Sequence, residues 1–105
     1  MKILLIPAVV IVALAAVYFI FPKPDGNTSV SACVAKCKEV VASGVDTSSG
    51  PCLSNEIQRD WVCDMAHNPR TPIDNLPDNQ CSEFVKGNAK HFVEVDANCE
   101  VVRVY

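Results

Sequence analysis

The longest feature of the hydrophobic pattern is an apolar segment at residues 3–21 (ILLIPAVVIVALAAVYFIF), which contains no charged side chain. As an α-helix, a segment of this length would extend about 28 Å, close to the roughly 30 Å hydrocarbon thickness of a bilayer. Lys2 lies before the segment, and positive charge favours the cytoplasmic side. The pattern therefore predicts a transmembrane signal-anchor helix at residues 1–21, with the N-terminus in the cytoplasm.

Two alternatives for this segment remain open. Residues 13–15 (ALA) fit a signal-peptidase site, although the apolar run is longer than the roughly 7–15-residue core of a signal peptide. Residues 30–33 (VSAC) are similar to a bacterial lipobox, in which Cys33 would carry the lipid. Anchor, signal peptide and lipoprotein all export the remainder of the chain. Residues 22–29, which include two prolines and a glycine, are predicted to be a linker.

After the linker, the apolar positions change to a helical period. They recur at i, i+3, i+4 and i+7, the spacing of an amphipathic helix. The positions are Val30, Cys33, Val34, Cys37, Val40 and Val41. This spacing predicts a helix over residues 30–43, because Gly44 supplies a helix stop.

The rest of the pattern alternates between strand and turn signals. Residues 61–67 have strand character, and residues 78–87 are predicted to form a second short helix that ends at glycine. Residues 91–95 and 99–105 are β-branched and aromatic runs around a turn, the signature of a hairpin. The fold class is α+β. Residues 30–105 are expected to form an extracytoplasmic domain of two short helices on a two- or three-stranded antiparallel sheet.

All six cysteines lie in the predicted exported domain, at Cys33, Cys37, Cys52, Cys63, Cys81 and Cys99. An even number of cysteines in a small exported domain indicates a disulfide framework, here of three bonds. Cys33 and Cys37 are one helical turn apart, so a bond between them would strain the helix. Each is therefore expected to pair with a different cysteine, which would tie the first helix to both the central segment and the hairpin.

Charge excludes one class of partner. The chain has 105 residues and a formal net charge of −3, and its basic residues are scattered singly along the sequence. A nucleic-acid-binding protein needs a positive patch or stripe, which this sequence lacks. The expected partners are the membrane and another envelope or extracellular protein, and no cofactor is predicted.

Functional-looking side chains are densest between residues 60 and 70. Trp61, Asp64, His67 and Arg70 are the candidate partner-binding residues, because aromatic and arginine side chains dominate protein interfaces. A structural alternative places Trp61 in the core of the domain. The leading hypothesis is a non-enzymatic, membrane-anchored extracytoplasmic binding or accessory module, with no catalytic residue.

Two other functions remain as alternatives. His67 and His91, with Asp64 or Glu94, could form a two-histidine, one-carboxylate metal site or a small hydrolytic centre. In extended strands, however, residues three positions apart point to opposite faces, which separates Asp64 from His67 and His91 from Glu94. The other alternative is a subunit of a membrane complex that assembles through the transmembrane helix.

Overall fold

The computed structural model describes residues 25–105. The predicted anchor at residues 1–21 lies outside the described residues. Within residues 25–105, no helix combines the length and the apolar character needed to cross a membrane.

The predicted first helix is present and begins earlier than expected. Helix α1 spans Gly26–Ala42, so the second half of the predicted linker is helical. Asp25 caps the helix by accepting a hydrogen bond from the backbone N–H of Thr28 at 2.8 Å. Three positions four residues apart are buried along one side of α1, at Ser29, Cys33 and Cys37. This narrow stripe is the face that packs on the sheet.

The sheet has four strands in the order β1-β2-β3-β4. The strands are β1 (Cys52–Gln58), β2 (Trp61–Met65), β3 (His91–Val95) and β4 (Val101–Val104). The pairs β1–β2 and β3–β4 are antiparallel, which confirms the predicted hairpin at the end of the chain. The central strands β2 and β3 pair in parallel. The prediction of a two- or three-stranded antiparallel sheet was therefore wrong, because it missed β1 and the parallel pair.

The parallel pairing requires residues 66–90 to cross from the end of β2 to the start of β3. This crossover contains two 3-10 turns, Pro72–Asn75 and Pro77–Asn79, and the four-residue helix α2, Ser82–Val85. The second helix predicted at residues 78–87 is thus reduced to a single turn. Asp78 and Asn79 lie in the second 3-10 turn, and the backbone of Gln80 and Cys81 is extended, so the α-helix begins only at Ser82.

Side chains point alternately to the two faces of the sheet along each strand. Each face is covered by its own hydrophobic core. One core lies between the sheet and α1. It contains Cys33, Cys37, Trp61, Cys63, Met65, Val93, Val95 and Cys99. The second core lies between the sheet and the crossover. It contains Val62, Cys81, Ala89 and Phe92, with Phe84 packed against them.

Three disulfide bonds hold these layers together, which confirms the predicted framework. Cys33 is bonded to Cys63 on β2, and Cys37 is bonded to Cys99 in the β3–β4 turn. The first helix is therefore tied to the central segment and to the hairpin, as its one-turn cysteine spacing predicts. The third bond, between Cys52 and Cys81, fastens the crossover to β1.

Candidate functional site

A pocket of about 160 Å³ opens on the face of the sheet opposite α1. Its lining comes from β2, β3, β4 and the crossover. The lining residues are Val62, Asp64, Arg70, Gln80, Cys81, Phe84, Val85, Phe92, Glu94 and Arg103. Carboxylates, arginines and aromatic rings thus surround one small concave volume.

Three of the four charged residues of the pocket form a row across three strands. Asp64 on β2 is in register with Glu94 on β3, and Glu94 is in register with Arg103 on β4. Neighbouring strands lie about 4.8 Å apart, so the three side chains are close neighbours on the pocket face. The order of charge across the sheet is acid, acid, base.

Glu94 is buried, with 5% of its surface exposed, and is held by arginine. Its Oε2 accepts a hydrogen bond from Arg70 Nη1 at 2.7 Å and lies 3.7 Å from Arg103 Nη2. Arg70 is itself fixed, because its Nε donates to Asn75 Oδ1 at 2.8 Å and its Nη2 to the carbonyl oxygen of Asp74 at 3.3 Å. The Arg70–Glu94 pair is therefore a rigid part of the pocket wall.

Asp64 is the carboxyl group of the pocket lining that has an oxygen atom without a hydrogen-bonding partner among residues 25–105. Its Oδ1 is buried and has no hydrogen-bonding partner within the described residues. Burial, and then repulsion by Glu94, raise the pKa of Asp64 from 3.8 to about 7, against the opposing effects of the Met65 backbone N–H and the Arg70 charge. A carboxyl group with this pKa is about half ionised at neutral pH, so it can accept or donate a hydrogen bond.

The apolar wall of the pocket is an aromatic cluster. Phe84 packs edge-on against Phe92 with ring centroids 5.0 Å apart, and Tyr105 stacks on Phe92 at 5.4 Å. The guanidinium carbon of Arg103 lies 4.9 Å from the centre of the Phe92 ring, in cation–π contact. Arg103 has 61% of its side chain exposed, and its one ion pair among the described residues is the long contact with Glu94. It therefore has donors available at the rim.

The buried carboxylate of Asp74 holds the loop at residues 67–71. It accepts hydrogen bonds from His67 Nδ1 at 2.8 Å and from the backbone N–H groups of His67 and Thr71 at 3.1 and 2.9 Å. Burial opposes ionisation, yet these hydrogen bonds keep the pKa of Asp74 below its ordinary value. Gly50, at φ +66°, makes room for this carboxylate, since a Cβ there would overlap Asp74 Oδ1. Asp74 thus fixes the loop that presents Arg70.

The four residues predicted to contact a partner lie in two places. Asp64 and Arg70 line the pocket, whereas His67 is outside its lining and is hydrogen-bonded to Asp74. Trp61 is 7% exposed and stacks on His91 at a centroid distance of 4.5 Å, in the core on the α1 side. Contact with a partner stays a prediction for all four residues. Of the four, Asp64 and Arg70 are the ones that line the pocket.

The alternative metal site is not assembled. His91 is in register with Trp61 at the start of β2, whereas His67 follows the end of that strand. Six residues of extended chain separate those two levels by roughly 20 Å. Among residues 25–105, no group of three or more histidine, cysteine or carboxylate side chains is placed to hold a metal ion. Asp64 and Glu94 do meet, but without either histidine.

The sequence contained a signal for this pocket that residue-by-residue reasoning missed. Strand β2 reads WVCDM and strand β3 reads HFVEV, so each has an aromatic ring or imidazole first and one acid at the fourth position. Two apolar strands with an acid at the same position place those acids side by side when they pair in parallel. Phe84, Phe92 and Arg103 were missed because their roles depend on this pairing.

Comparison with protein-family models, with curated proteins and with solved structures finds no match for this chain. The functional assignment therefore depends on the pocket and on the disulfide framework. Three disulfides in a domain of this size are typical of proteins that work outside the cytoplasm.

Proposed function

We propose that this chain is a non-enzymatic, membrane-tethered extracytoplasmic module that binds another envelope or extracellular molecule through the pocket. The observation that carries the proposal is the composition of the pocket. It combines the unpartnered carboxyl of Asp64, the exposed guanidinium of Arg103 and the aromatic wall of Phe84 and Phe92. Apolar surface with a few directed polar groups is the chemistry of recognition.

Binding is favoured over catalysis because most polar groups of the pocket are already engaged. Glu94 and Arg70 are hydrogen-bonded to each other, and Gln80 Nε2 donates to the carbonyl oxygen of Asn75 at 3.3 Å. Nucleophilic catalysis needs a side chain activated by an adjacent base, and the residues that line the pocket include no such pair. The arrangement favours a rigid receptor surface.

The membrane tether rests on the apolar segment at residues 3–21 and on its distance from the domain. Helix α1 begins at Gly26, so only the four residues 22–25 lie between the predicted anchor and the helix. Four residues span no more than about 14 Å. The proposed module would therefore work close to the bilayer surface.

Topology is tested by comparing the full chain with a variant in which residues 1–21 are replaced by a cleavable signal peptide. We expect the full chain to remain in the membrane fraction after alkaline washing, and its exported domain to be accessible to protease added to cells stripped of any outer membrane or wall. The variant should be soluble and exported, with all six cysteines oxidised in both proteins. Protection of the full-length domain from external protease would refute the proposed location.

Contact through the pocket is tested with a photo-crosslinking amino acid at Val85, which lines the pocket and is 63% exposed. The matched control is the same replacement at Val45, which is 56% exposed in the segment after α1. We expect one discrete crosslinked species from Val85, abolished by Asp64→Asn, and none from Val45. Equal crosslinking at both positions, or none at Val85, would contradict binding through the pocket.

A further inference from the structure

The half-buried carboxyl of Asp64 differs from the two buried acids of the described domain, Glu94 and Asp74. Glu94 is neutralised by Arg70, and Asp74 accepts hydrogen bonds from His67 and Thr71. The Oδ1 atom of Asp64 is the one buried side-chain oxygen or nitrogen between residues 25 and 105 that lacks a partner. A buried acceptor without a donor is completed when a ligand brings one.

The charges around Asp64 determine which donor fits. Glu94 faces it from β3, Arg70 and Asp74 approach from the crossover, and Arg103 lies beyond Glu94 on β4. On the β1 side the residue in register is Cys52, which is bonded to Cys81 and carries no charge. Asp64 is the carboxyl group of the pocket lining that forms no ion pair among the described residues, because both arginines of the lining pair with Glu94. The surroundings of Asp64 therefore favour a positively charged donor.

The size and walls of the pocket limit what can carry that charge. A volume of about 160 Å³ is similar to that of an engineered cavity of about 150 Å³ that binds benzene. A short unbranched chain of four carbons with a terminal nitrogen fills such a space. Val62, Phe84 and Phe92 supply apolar and aromatic surface for the carbons, and aromatic faces also attract cations.

We propose that the pocket binds a primary ammonium group on a short aliphatic chain, with Asp64 as its counter-ion and Phe84 and Phe92 around the chain. The ammonium can come from a free alkylamine or from a lysine side chain of a partner protein. The inference rests on the proposed binding function and names the chemical class that the site recognises. Asp64 must be ionised to pair with the ammonium, so binding strengthens as the pH rises through neutrality.

The test uses the ¹⁵N-labelled full chain in detergent micelles, with disulfides intact, and n-butylammonium as the probe. Amide shifts of Asp64, Phe92 and Glu94 report occupancy. With binding limited to the ionised form, the affinity should fall roughly tenfold or more between pH 8 and pH 5.5. Asp64→Asn should abolish binding at both pH values. Glu100→Gln removes the same charge from an exposed position outside the pocket and should leave binding unchanged.

The source of the ammonium is separated by two short peptides, one with a single lysine and one with the same lysine acetylated. Tighter binding of the lysine peptide than of butylammonium assigns the pocket to a partner's side chain. The reverse order assigns it to a free amine, and either order supports the shared chemistry. Equal binding of the acetylated peptide would overturn it, because acetylation removes the charge.

Failure of this inference can be distinguished from failure of the binding function. If n-butyrate binds instead, and more tightly below pH 7 than above it, the ligand is an acid and the ammonium class is wrong, while the pocket remains a binding site. If neither probe binds but the Val85 crosslink persists, the inference alone is overturned. If neither probe binds and Val85 forms no crosslink, both this inference and the proposed binding function are wrong.

Discussion

Asp64 and Glu94 lie side by side in register on the parallel strands β2 and β3, yet within the described domain only Glu94 forms an ion pair with an arginine. Two neighbouring carboxyl groups cannot both ionise at low cost in a partly buried site. The pair therefore divides its roles, with Glu94 charged and bonded to Arg70 and Asp64 retaining its proton up to neutral pH. This division determines the pH dependence of stability.

We expect the free energy of unfolding to fall as the pH rises from about 4 to about 7. The pKa of Asp64 is raised from 3.8 to about 7, so over this range the unfolded chain releases a proton that the native protein keeps. The full pKa difference corresponds to a change of about 4 kcal/mol in the free energy of unfolding. We expect a decrease of about 1–3 kcal/mol, because Asp64 is partly exposed. Urea unfolding of oxidised residues 25–105 across this pH range measures the change.

Asp64→Asn is the control for that prediction. It should flatten the pH profile between about 4 and 7 and make the protein more stable than the parent at pH 8. The lowered pKa of Asp74 acts in a separate window, since its contribution is lost only as the pH falls below about 4. If the decline in the free energy of unfolding between pH 4 and 7 persists in Asp64→Asn, another titrating group causes that decline.

Removal of Arg70 should cost more than removal of Arg103. Arg70→Ala leaves the carboxylate of Glu94 buried and without its 2.7 Å partner, and we expect a loss of about 1–3 kcal/mol. Arg103→Ala removes an exposed side chain at 3.7 Å and should cost about 1 kcal/mol or less. Arg70→Ala should also raise the pKa of Asp64 further, which an NMR titration would detect. Equal losses for the two arginines would contradict the assigned roles.

Gly50→Ala should destabilise the domain by about 2–4 kcal/mol. The new Cβ would overlap Asp74 Oδ1 and lie 3.1 Å from the carbonyl oxygen of Met65, at a backbone φ of +66°. Gly44→Ala is a matched control, because Gly44 has a φ of +79° and no described heavy atom within 4 Å of the added Cβ. Its cost should be about 1 kcal/mol from the backbone alone. Chemical denaturation of both variants measures the difference.

Removal of the Cys52–Cys81 bond should loosen the pocket without releasing α1. We expect Cys52→Ala/Cys81→Ala to lose about 2–4 kcal/mol of stability. Amide hydrogen exchange should become faster in Ser82–Val85, which this bond fastens to β1, while Gly26–Ala42 stays protected by its two remaining bonds. Faster exchange throughout α1 would show that the domain does not divide in this way.

The local elements of this fold could be predicted from sequence, because their signals lie within a few residues. The apolar spacing through Cys33 and Cys37 identified α1 and its buried stripe. Two β-branched runs around a short turn identified the β3–β4 hairpin. The same one-turn spacing also showed that the two cysteines have different partners, although it could not say which.

The long-range elements could not be predicted. Strand β1 reads CLSNEIQ without clear alternation, and its pairing with β2 shifts register twice. The parallel direction of β2 and β3 depends on the course of the crossover, which has little periodicity of its own. That Asp64 and Glu94 are neighbours can be inferred only once that direction is known. The candidate site therefore could not be predicted as a whole, although individual residues of it were identified.

The bond between Cys37 and Cys99 also determines how the domain would respond to mechanical tension. If the chain is pulled between residues 25 and 105, force passes along α1 to Cys37, through the disulfide to Cys99, and on through residues 100–105. The extensible path contains about 18 residue steps, or roughly 60 Å when fully stretched. Residues 38–98, including most of the sheet and all of the pocket except Arg103, lie outside that path. Force applied between these two residues would therefore bypass the covalent chain that forms most of the sheet and most of the pocket.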